Sequence, residues 1–174
     1  MGFALGVKMT KMTRQEFVTY TDNWGSHQPL LWLALESTNG TVFEFGCGHN
    51  STPKLMKYCI EHGRSFFSYE NKKDWIEEMK GYGVLNVENY EDIRLQNVDV
   101  LFIDHAPGER RKVDIERWRN HAKIIIAHDT EPSADHGYKM RPVLKRFKYM
   151  KDFETDGAWA TAVSNYVDVT KWQI

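Results

Sequence analysis

The chain predicts an α/β fold: a three-layer sandwich around a mostly parallel seven-stranded sheet, ending in a C-terminal antiparallel hairpin. Three observations carry that prediction. Apolar strand-like runs alternate with helical ones, and such alternation builds a parallel sheet covered on both faces. The first strand-like run, Thr41-Val42-Phe43-Glu44-Phe45, passes through Gly46-Cys47-Gly48 into a helix start at Ser51-Thr52-Pro53. The last two runs, 147–155 and 158–166, flank Asp156-Gly157, and Asp-Gly between alternating runs is the strongest short hairpin signal.

In chain order, residues 13–22 read as a short helix with Phe17 and Tyr20 on one face. Trp24 to His27 reads as a turn, and Pro29 to Glu36 as an apolar helix broken by Asn39-Gly40. One domain is expected for the 174 residues, with 1–36 as a helical segment over the site and 41–166 as the core. After the first strand, a helix from about Thr52 to His62 buries Leu55, Met56, Cys59 and Ile60 at helical spacing, and Gly63 stops it. The second strand, Ser65–Tyr69, ends at Glu70. The next helix, Lys72–Lys80, carries Trp75, Ile76 and Met79 inward until Gly81 and Gly83. Strands follow at 85–89 and at Val98–Ile103, the latter ending at Asp104. Pro107-Gly108 opens a charged helix that runs to about His121. The fifth strand, Lys123–Ala127, ends at His128-Asp129-Thr130; a polar loop at 131–137 and a short helix at 141–147 precede the hairpin.

Composition narrows the class of partner. The formal net charge of −1 argues for neither nucleic acid nor an anionic membrane. No apolar run approaches the length of a membrane span. The segment MGFALGVKM lacks a basic leader, and Gly2 sits in a poor myristoylation pattern, so a frayed terminus is expected there. The two cysteines, Cys47 and Cys59, have no disulfide or zinc spacing, which points to a reducing, cytoplasmic compartment. Of the six tryptophans, Trp24 and Trp159 fall nearest the expected ligand face, with packing as the plainer role for each.

The chemistry collects at one end of the sheet. In an open α/β sheet, ligands sit beyond the carboxyl ends of the strands. There the strands supply Glu44 to Thr52, then Glu70, then Tyr90 and Glu91, then Asp104 and His105, then His128 and Asp129. Each alone reads as a solvated strand end; together they form an acidic rim that a cationic ligand or a metal would balance. Glycines at 46 and 48 let a ligand approach the backbone, and the following helix start offers free N–H groups. Glu70 lies where a carboxylate accepts from ribose hydroxyls, or where it caps the helix that follows it.

With these residues in view, the chain resembles a class I S-adenosylmethionine-dependent methyltransferase, a Rossmann-like family, nearest to its small-molecule O-methyltransferases. VFEFGCGHNST resembles the family's first motif, SYE the second, VDVLFIDHAPG the fourth strand and its loop, and IIIAHDT the fifth-strand end. The terminal FKYMKDFETDGAWATAVSN resembles the last two, antiparallel strands, and TDNWGSH resembles a segment that precedes the core in macrocin-type sugar O-methyltransferases. The resemblance implies S-adenosylmethionine as methyl donor. Glu44 would face its ammonium, Gly46, Cys47 and Gly48 its methionine part, and Glu70 with Asn71 the ribose. Tyr90 and Glu91 would flank the adenine, Asp104 and His105 would line the floor near the methyl group, and His27 with Asn50, Ser51 and Thr52 would reach the carboxylate. It also implies a divalent metal such as Mg2+ on Asp104 and Asp129. His49-Asn50 departs from the smaller pair of many relatives.

Transfer to a hydroxyl needs a base, and histidine suits neutral pH. His105, which follows Asp104, is slightly favoured over His128, which serves equally well as base or metal ligand. His62 and His121 read as helix caps, and His136 as an acceptor-site residue. The sequence Asp104-His105-Ala106-Pro107-Gly108 lacks the aromatic of base-amino methyltransferases. The basic clusters Arg110-Arg111-Lys112 and 139–148 read as solvated helix faces interleaved with acids. A small-molecule acceptor is therefore expected, with homo-oligomerisation as one way to complete its pocket. Two other readings stand: an NAD-dependent oxidoreductase, since Gly46-x-Gly48-x-x-Ser51 nearly meets that fingerprint, and a non-catalytic S-adenosylmethionine-binding protein.

Overall fold

The computed structural model describes residues 11–20 and 23–174, without the side chains of Asn23, Asp135 and His136. Expectations for MGFALGVKM, for Thr21-Asp22 and for the His136 side chain lie outside the described residues. Seven strands form one sheet: β1 (Val42–Phe45), β2 (Phe66–Glu70), β3 (Leu85–Asn86), β4 (Val98–Ile103), β5 (Ala122–His128), β6 (Tyr149–Phe153) and β7 (Ala160–Ser164). Their spatial order is β3-β2-β1-β4-β5-β7-β6. The first five pair in parallel, and β7 lies antiparallel to both β5 and β6. The order reverses between β1 and β4, which opens a crevice above their carboxyl ends.

The period-two alternation of the strands divides the core into two layers. Val42, Val100, Phe102, Ile124, Ile126 and Ala162 face α2 (Gln28–Glu36) and α3 (Thr52–Glu61) through Leu30, Leu31, Leu55 and Cys59. Phe43, Phe45, Leu101, Ile103, Ile125 and Val163 face α5 (Arg111–Trp118) and α7 (Arg141–Leu144) through Ile115, Trp118 and Leu144. Burial of each such side chain stabilises the fold by roughly 1.5–3 kcal/mol, so the sheet centre, where every residue of β1 and β4 is buried, anchors the rest. Among the described residues, no helix is long and apolar enough to cross a membrane.

Several elements differ from expectation. The helix expected over 13–22 is one turn, α1 (Arg14–Phe17), closed by a reciprocal capping box of Thr13 and Glu16. On α3 the buried stripe centres on Leu55, Tyr58 and Cys59, so Ile60 is exposed rather than inward. Helix α4 (Lys73–Glu78) lies by the sheet edge and leaves Trp75 38% exposed; Met79 just beyond it is buried. β3 is two residues long, and Tyr90–Asp92 forms a 3-10 turn instead of continuing it. Residues expected as a polar loop form α6 (Pro132–Tyr138), which Pro132 starts. A 3-10 turn, Gly108–Arg110, precedes α5, which ends before His121. The β6–β7 strands are shorter than the runs that announced them, so Asp156-Gly157 sits inside a longer connection.

Two local features position the site. Gly46 has φ 90°, and a Cβ there would lie 2.6 Å from the His105 backbone nitrogen, so β1 turns directly over the end of β4. Gly48 has neither constraint, and its N–H donates to the Thr52 hydroxyl at 2.9 Å. Glu44 is the one carboxylate on the inner face of β1 and is fully buried. Its Oε2 accepts from the Thr52 and Ser68 hydroxyls, while Oε1 is buried with no partner. Burial pushes its carboxyl up to about 7 against the hydroxyls that favour the anion.

Two predictions follow from this turn. Gly46→Ala should cost roughly 2 kcal/mol or more in urea unfolding, while Gly48→Ala should stay within about 0.5 kcal/mol of wild type. Because the folded carboxyl of Glu44 titrates higher than its ordinary 4.5, the native state binds the extra proton, and its contribution to stability falls as pH rises from about 4.5 to about 7. Glu44→Gln removes that slope. The stability difference between variant and wild type should change by on the order of 2–3 kcal/mol in favour of the variant between pH 4.5 and pH 8; a difference independent of pH would show that Glu44 does not titrate in that window.

Candidate active site

A cavity of about 410 Å³ opens above the carboxyl ends of β1, β2, β4 and β5. Its walls include Cys47, Gly48, His49, Asn50 and Ser51 from the glycine turn, Glu70 from β2, Asp104 and Ala106 after β4, and His128 and Asp129 after β5. Trp24, His27, Lys72, Trp75 and Arg111 complete it. That volume suits a cofactor-sized ligand. A second cavity of about 400 Å³ adjoins it, lined by Glu131, Ser133, Asp156, Gly157 and Ala158 together with Trp24, His128 and Asp129. The last three residues belong to both walls.

Glu70 shapes the turn it faces. Its Oε1 accepts the backbone N–H groups of Asn71 and Lys72, both at 2.8 Å, and its Oε2 accepts that of Cys47 at 3.2 Å. It therefore braces the chain just ahead of α4, whose own N-terminus has no side-chain cap, and also borders the cavity. The Cys47 thiol beside it is pushed up to about 12, by burial first and then by the Glu70 charge; it is a small wall residue and not a nucleophile. His49 reaches outward to Glu78 at 3.1 Å and lies against the Trp75 ring, which gives this departure from the family motif a place in the cavity wall.

The polar centre lies where the two cavities meet. His128 Nε2 is 3.0 Å from the Ser26 hydroxyl, and its Nδ1 is 3.3 Å from Asp104 Oδ1 and 3.4 Å from Asp129 Oδ1. Burial alone would lower the basicity of His128; the charges and hydrogen bond of Asp104, with Asp129, overcome it and raise it. Asp104 is held well below the usual carboxylate range by His128 and Arg111, against the opposing effect of burial. His27, just before α2, meets the His128 ring edge-on at 5.0 Å and lies 4.5 Å from the Phe102 ring. Among the described residues neither His27 nitrogen makes a well-formed hydrogen bond, and burial followed by the His128 charge lowers it to about 3, against the weaker effects of Asp104 and the nearby Asn50 backbone, which keeps it neutral.

Arg111 stands between the strand ends. Its Nε donates to the His105 carbonyl at 2.8 Å. Its Nη1 donates to the His128 carbonyl at 3.1 Å and Asp129 Oδ2 at 2.8 Å, and its Nη2 to the Asp104 carbonyl at 3.1 Å. Nη2 also lies 3.0 Å from Asp104 Oδ1 as an ion-pair contact, so every guanidinium nitrogen is engaged. Asp129 adopts a left-handed backbone (φ 56°), which Asp tolerates.

The structure corrects several sequence assignments. His105, favoured as base, does not reach either cavity: it is buried, its Nε2 is 3.0 Å from Asp114 Oδ2, and its ring stacks on Tyr90 at 4.2 Å. Tyr90 is buried beneath the floor and Glu91 points to Arg110 at 2.9 Å, so neither lines the cavity as an adenine contact would. Glu44, Gly46, Thr52 and Asn71 also lie behind the wall, with Asn71 directed to the Ala106 carbonyl. The acid pair expected to hold a metal, Asp104 and Asp129, is instead spanned by Arg111 and does not fit that role. A different group, His27, Asp104 and His128, brings three possible ligand atoms within 4.8 Å of one another. Sequence reasoning missed Arg111, hidden in a run read as a solvated helix face, and Lys72, Trp75 and Ala106, which only the tertiary fold brings to the wall.

No family model matches the sequence, and no curated protein is significantly similar to it. Solved structures do share its fold. The O-methyltransferase from Bacillus cereus in complex with SAH is 12% identical and superimposes with a TM-score of 0.55 over 91% of this chain and 93% of its own. The precorrin-6y C5,15-methyltransferase from Geobacter metallireducens is 15% identical, with a TM-score of 0.52 over 78% of this chain and 87% of its own. The hMettl16 catalytic domain in complex with the MAT2A 3'UTR hairpin 1 is 10% identical, with a TM-score of 0.57 over 80% and 69%. At such identities the likeness concerns architecture: the chain has the Rossmann-like fold of S-adenosylmethionine-dependent methyltransferases, and these neighbours differ in what they are named for acting on.

Proposed function

We propose that the chain is an S-adenosylmethionine-dependent methyltransferase that methylates a hydroxyl of a small molecule, in the cytoplasm. The observation that carries this reading is the pair of adjoining cavities whose common wall is His128, Asp129 and Trp24. A donor lies in the first, an acceptor in the second, and the methyl group crosses at the junction. The adenosine extends toward Glu70 and Trp75, and the methionine part lies over Gly48 to Ser51. The unpartnered nitrogens of His27 supply a donor for the carboxylate. Glu44 acts from behind the wall, through the hydroxyls that surround it.

The reaction is an in-line displacement. The acceptor oxygen attacks the methyl carbon, the carbon–sulfur pair returns to sulfur to leave S-adenosylhomocysteine, and the acceptor proton passes to His128 Nε2, whose contact with the Ser26 hydroxyl gives way to the acceptor. Asp104 orients the imidazole and stabilises the cation formed, as a carboxylate does for a histidine base. Positioning of the two substrates contributes the remainder. Among the described residues of the second cavity there is no Lys or Arg, whereas Asp129, Glu131 and Asp156 line it. That charge favours an uncharged or cationic acceptor over a phosphate-bearing one.

Calorimetric titration with S-adenosylmethionine, S-adenosylhomocysteine and NAD tests the reading: either sulfur compound should bind and NAD should not, and the reverse pattern would overturn it. Glu70→Ala should weaken S-adenosylhomocysteine by roughly tenfold or more, the equivalent of about 1.4 kcal/mol. With an acceptor in hand, His128→Gln should slow single-turnover transfer by roughly 100-fold or more while leaving donor affinity nearly unchanged. In wild type the rate should rise with pH as the imidazolium loses its proton, with its midpoint above the ordinary histidine value of 6.5. A midpoint below that value would remove His128 as the base.

A further inference from the structure

We infer that Arg111 takes the place of a divalent cation between Asp104 and Asp129, so that this site carries its counter-charge in its own chain and does not recruit one from solution. The inference deepens the methyltransferase reading by naming how the site is charged, and its test is a binding measurement that stands whether or not transfer occurs.

Four observations support it. The carboxylate oxygens offered to a metal after β4 and β5, Asp104 Oδ1 and Asp129 Oδ2, lie 3.0 and 2.8 Å from guanidinium nitrogens. A cation bound to either oxygen at a metal–oxygen distance of about 2.0–2.2 Å would have to displace those contacts. The guanidinium cannot swing aside without stranding the carbonyls of His105, Asp104 and His128, which its remaining N–H groups serve. A buried carbonyl without a donor costs about 1–3 kcal/mol, so displacement is opposed by more than the ion pairs. Arg111 is itself 6% exposed, and its guanidinium carbon lies 5.3 Å from the centre of the Tyr138 ring on α6. That ring fits because residue 108 is glycine: a Cβ there would meet it at 2.3 Å.

The chemistry differs from that of a metal in one respect. A divalent cation keeps open positions that acceptor oxygens can enter; a guanidinium whose three nitrogens are all turned to the protein has none to offer. Arg111 therefore acts as a positioning residue, fixing Asp104 against His128, and the acceptor needs only one nucleophilic oxygen.

The test titrates MnCl2 and MgCl2 into wild type, Arg111→Met, Arg111→Lys and the Arg111→Met/Asp129→Asn double variant, each compared by circular dichroism. Wild type and Arg111→Lys should show no saturable binding tighter than about 1 mM. Arg111→Met should gain a Mn2+ site at least roughly tenfold tighter than that, and the double variant should lose it again. Saturable binding to wild type below about 1 mM would overturn the inference; if His27→Ala then abolished it, the cation would belong to His27, Asp104 and His128. A folded Arg111→Met that gains no site would also overturn it. If Arg111→Met does not fold, the wild-type titration decides alone.

Discussion

One guanidinium, its three nitrogens spread over three carbonyls and two carboxylates at two neighbouring strand ends, holds the corner where the two cavities meet in place. Asp104 and Asp129 both face the same guanidinium and the same imidazole nitrogen, so without that cation their like charges would repel. Arg111 converts that repulsion into two ion pairs and, through three carbonyls, ties β4 to β5 where their hydrogen-bond ladder ends. Lysine would keep the positive charge between the two acids but has a single nitrogen and no planar fork, so it would leave the three carbonyls unserved. With Asp104 fixed, His128 is fixed, because Ser26 holds one ring nitrogen and Asp104 faces the other.

Around this clamp the structure keeps polar atoms unsatisfied. Both nitrogens of His27 and one oxygen of Glu44 are buried without partners, each at a cost of about 1–3 kcal/mol. Of the two, His27 borders the first cavity and Glu44 lies behind its wall. Both lie on the α2 and α3 side of the sheet: His27 immediately precedes α2, and Glu44 is bonded to Thr52 at the start of α3. On the opposite side the β1 side chains are aromatic and pack on Tyr90 and Trp118, and the buried polar groups there, His105 and Asp114, pair with each other beneath the stacked Tyr90 ring. The buried carboxylate of β1 thus lies on the α3 side of the sheet alone. That asymmetry follows from the alternation of β1, in which Val42 and Glu44 face one layer and Phe43 and Phe45 the other.

What could be read from the sequence was what depends on neighbours along the chain. The glycine turn, the strand ends and the order of strand and helix are local patterns, and Glu70 follows the turn at a spacing one βαβ unit dictates. Arg111 was not legible, because Arg110-Arg111-Lys112 with nearby acids has the composition of a solvated face. Arg110 does pair with Glu91 and Asp114, and only the burial of its neighbour distinguishes the two. His105 and His128 look equivalent as residues at or just after strand ends. They part because one ring turns toward α5 and meets Asp114, whereas the other turns toward α2 and meets Ser26. The helix at 132–138 was hidden by its polar composition, and α3's exposed Ile60 by a stripe narrower than its apolar residues suggested.

The basic residues bear on the acceptor in the same way. A surface that binds a phosphate backbone needs cations free to replace counterions. Here the arginines of the two basic clusters have partners within the fold: Arg110 and Arg111 in acids and carbonyls, Arg141 in Asp152 at 2.8 Å, and the half-exposed Arg146 in Glu116 at 3.1 Å. Arg117, nearby, donates to the carbonyls of Tyr90, Glu91 and Ile93. The cavity beside His128 is bordered by the carboxylates of Asp129, Glu131 and Asp156 and by the exposed ring of Trp24. In the proposed reaction that charge would repel an approaching phosphate, and the arginine nearest this corner, Arg111, is already engaged within the fold.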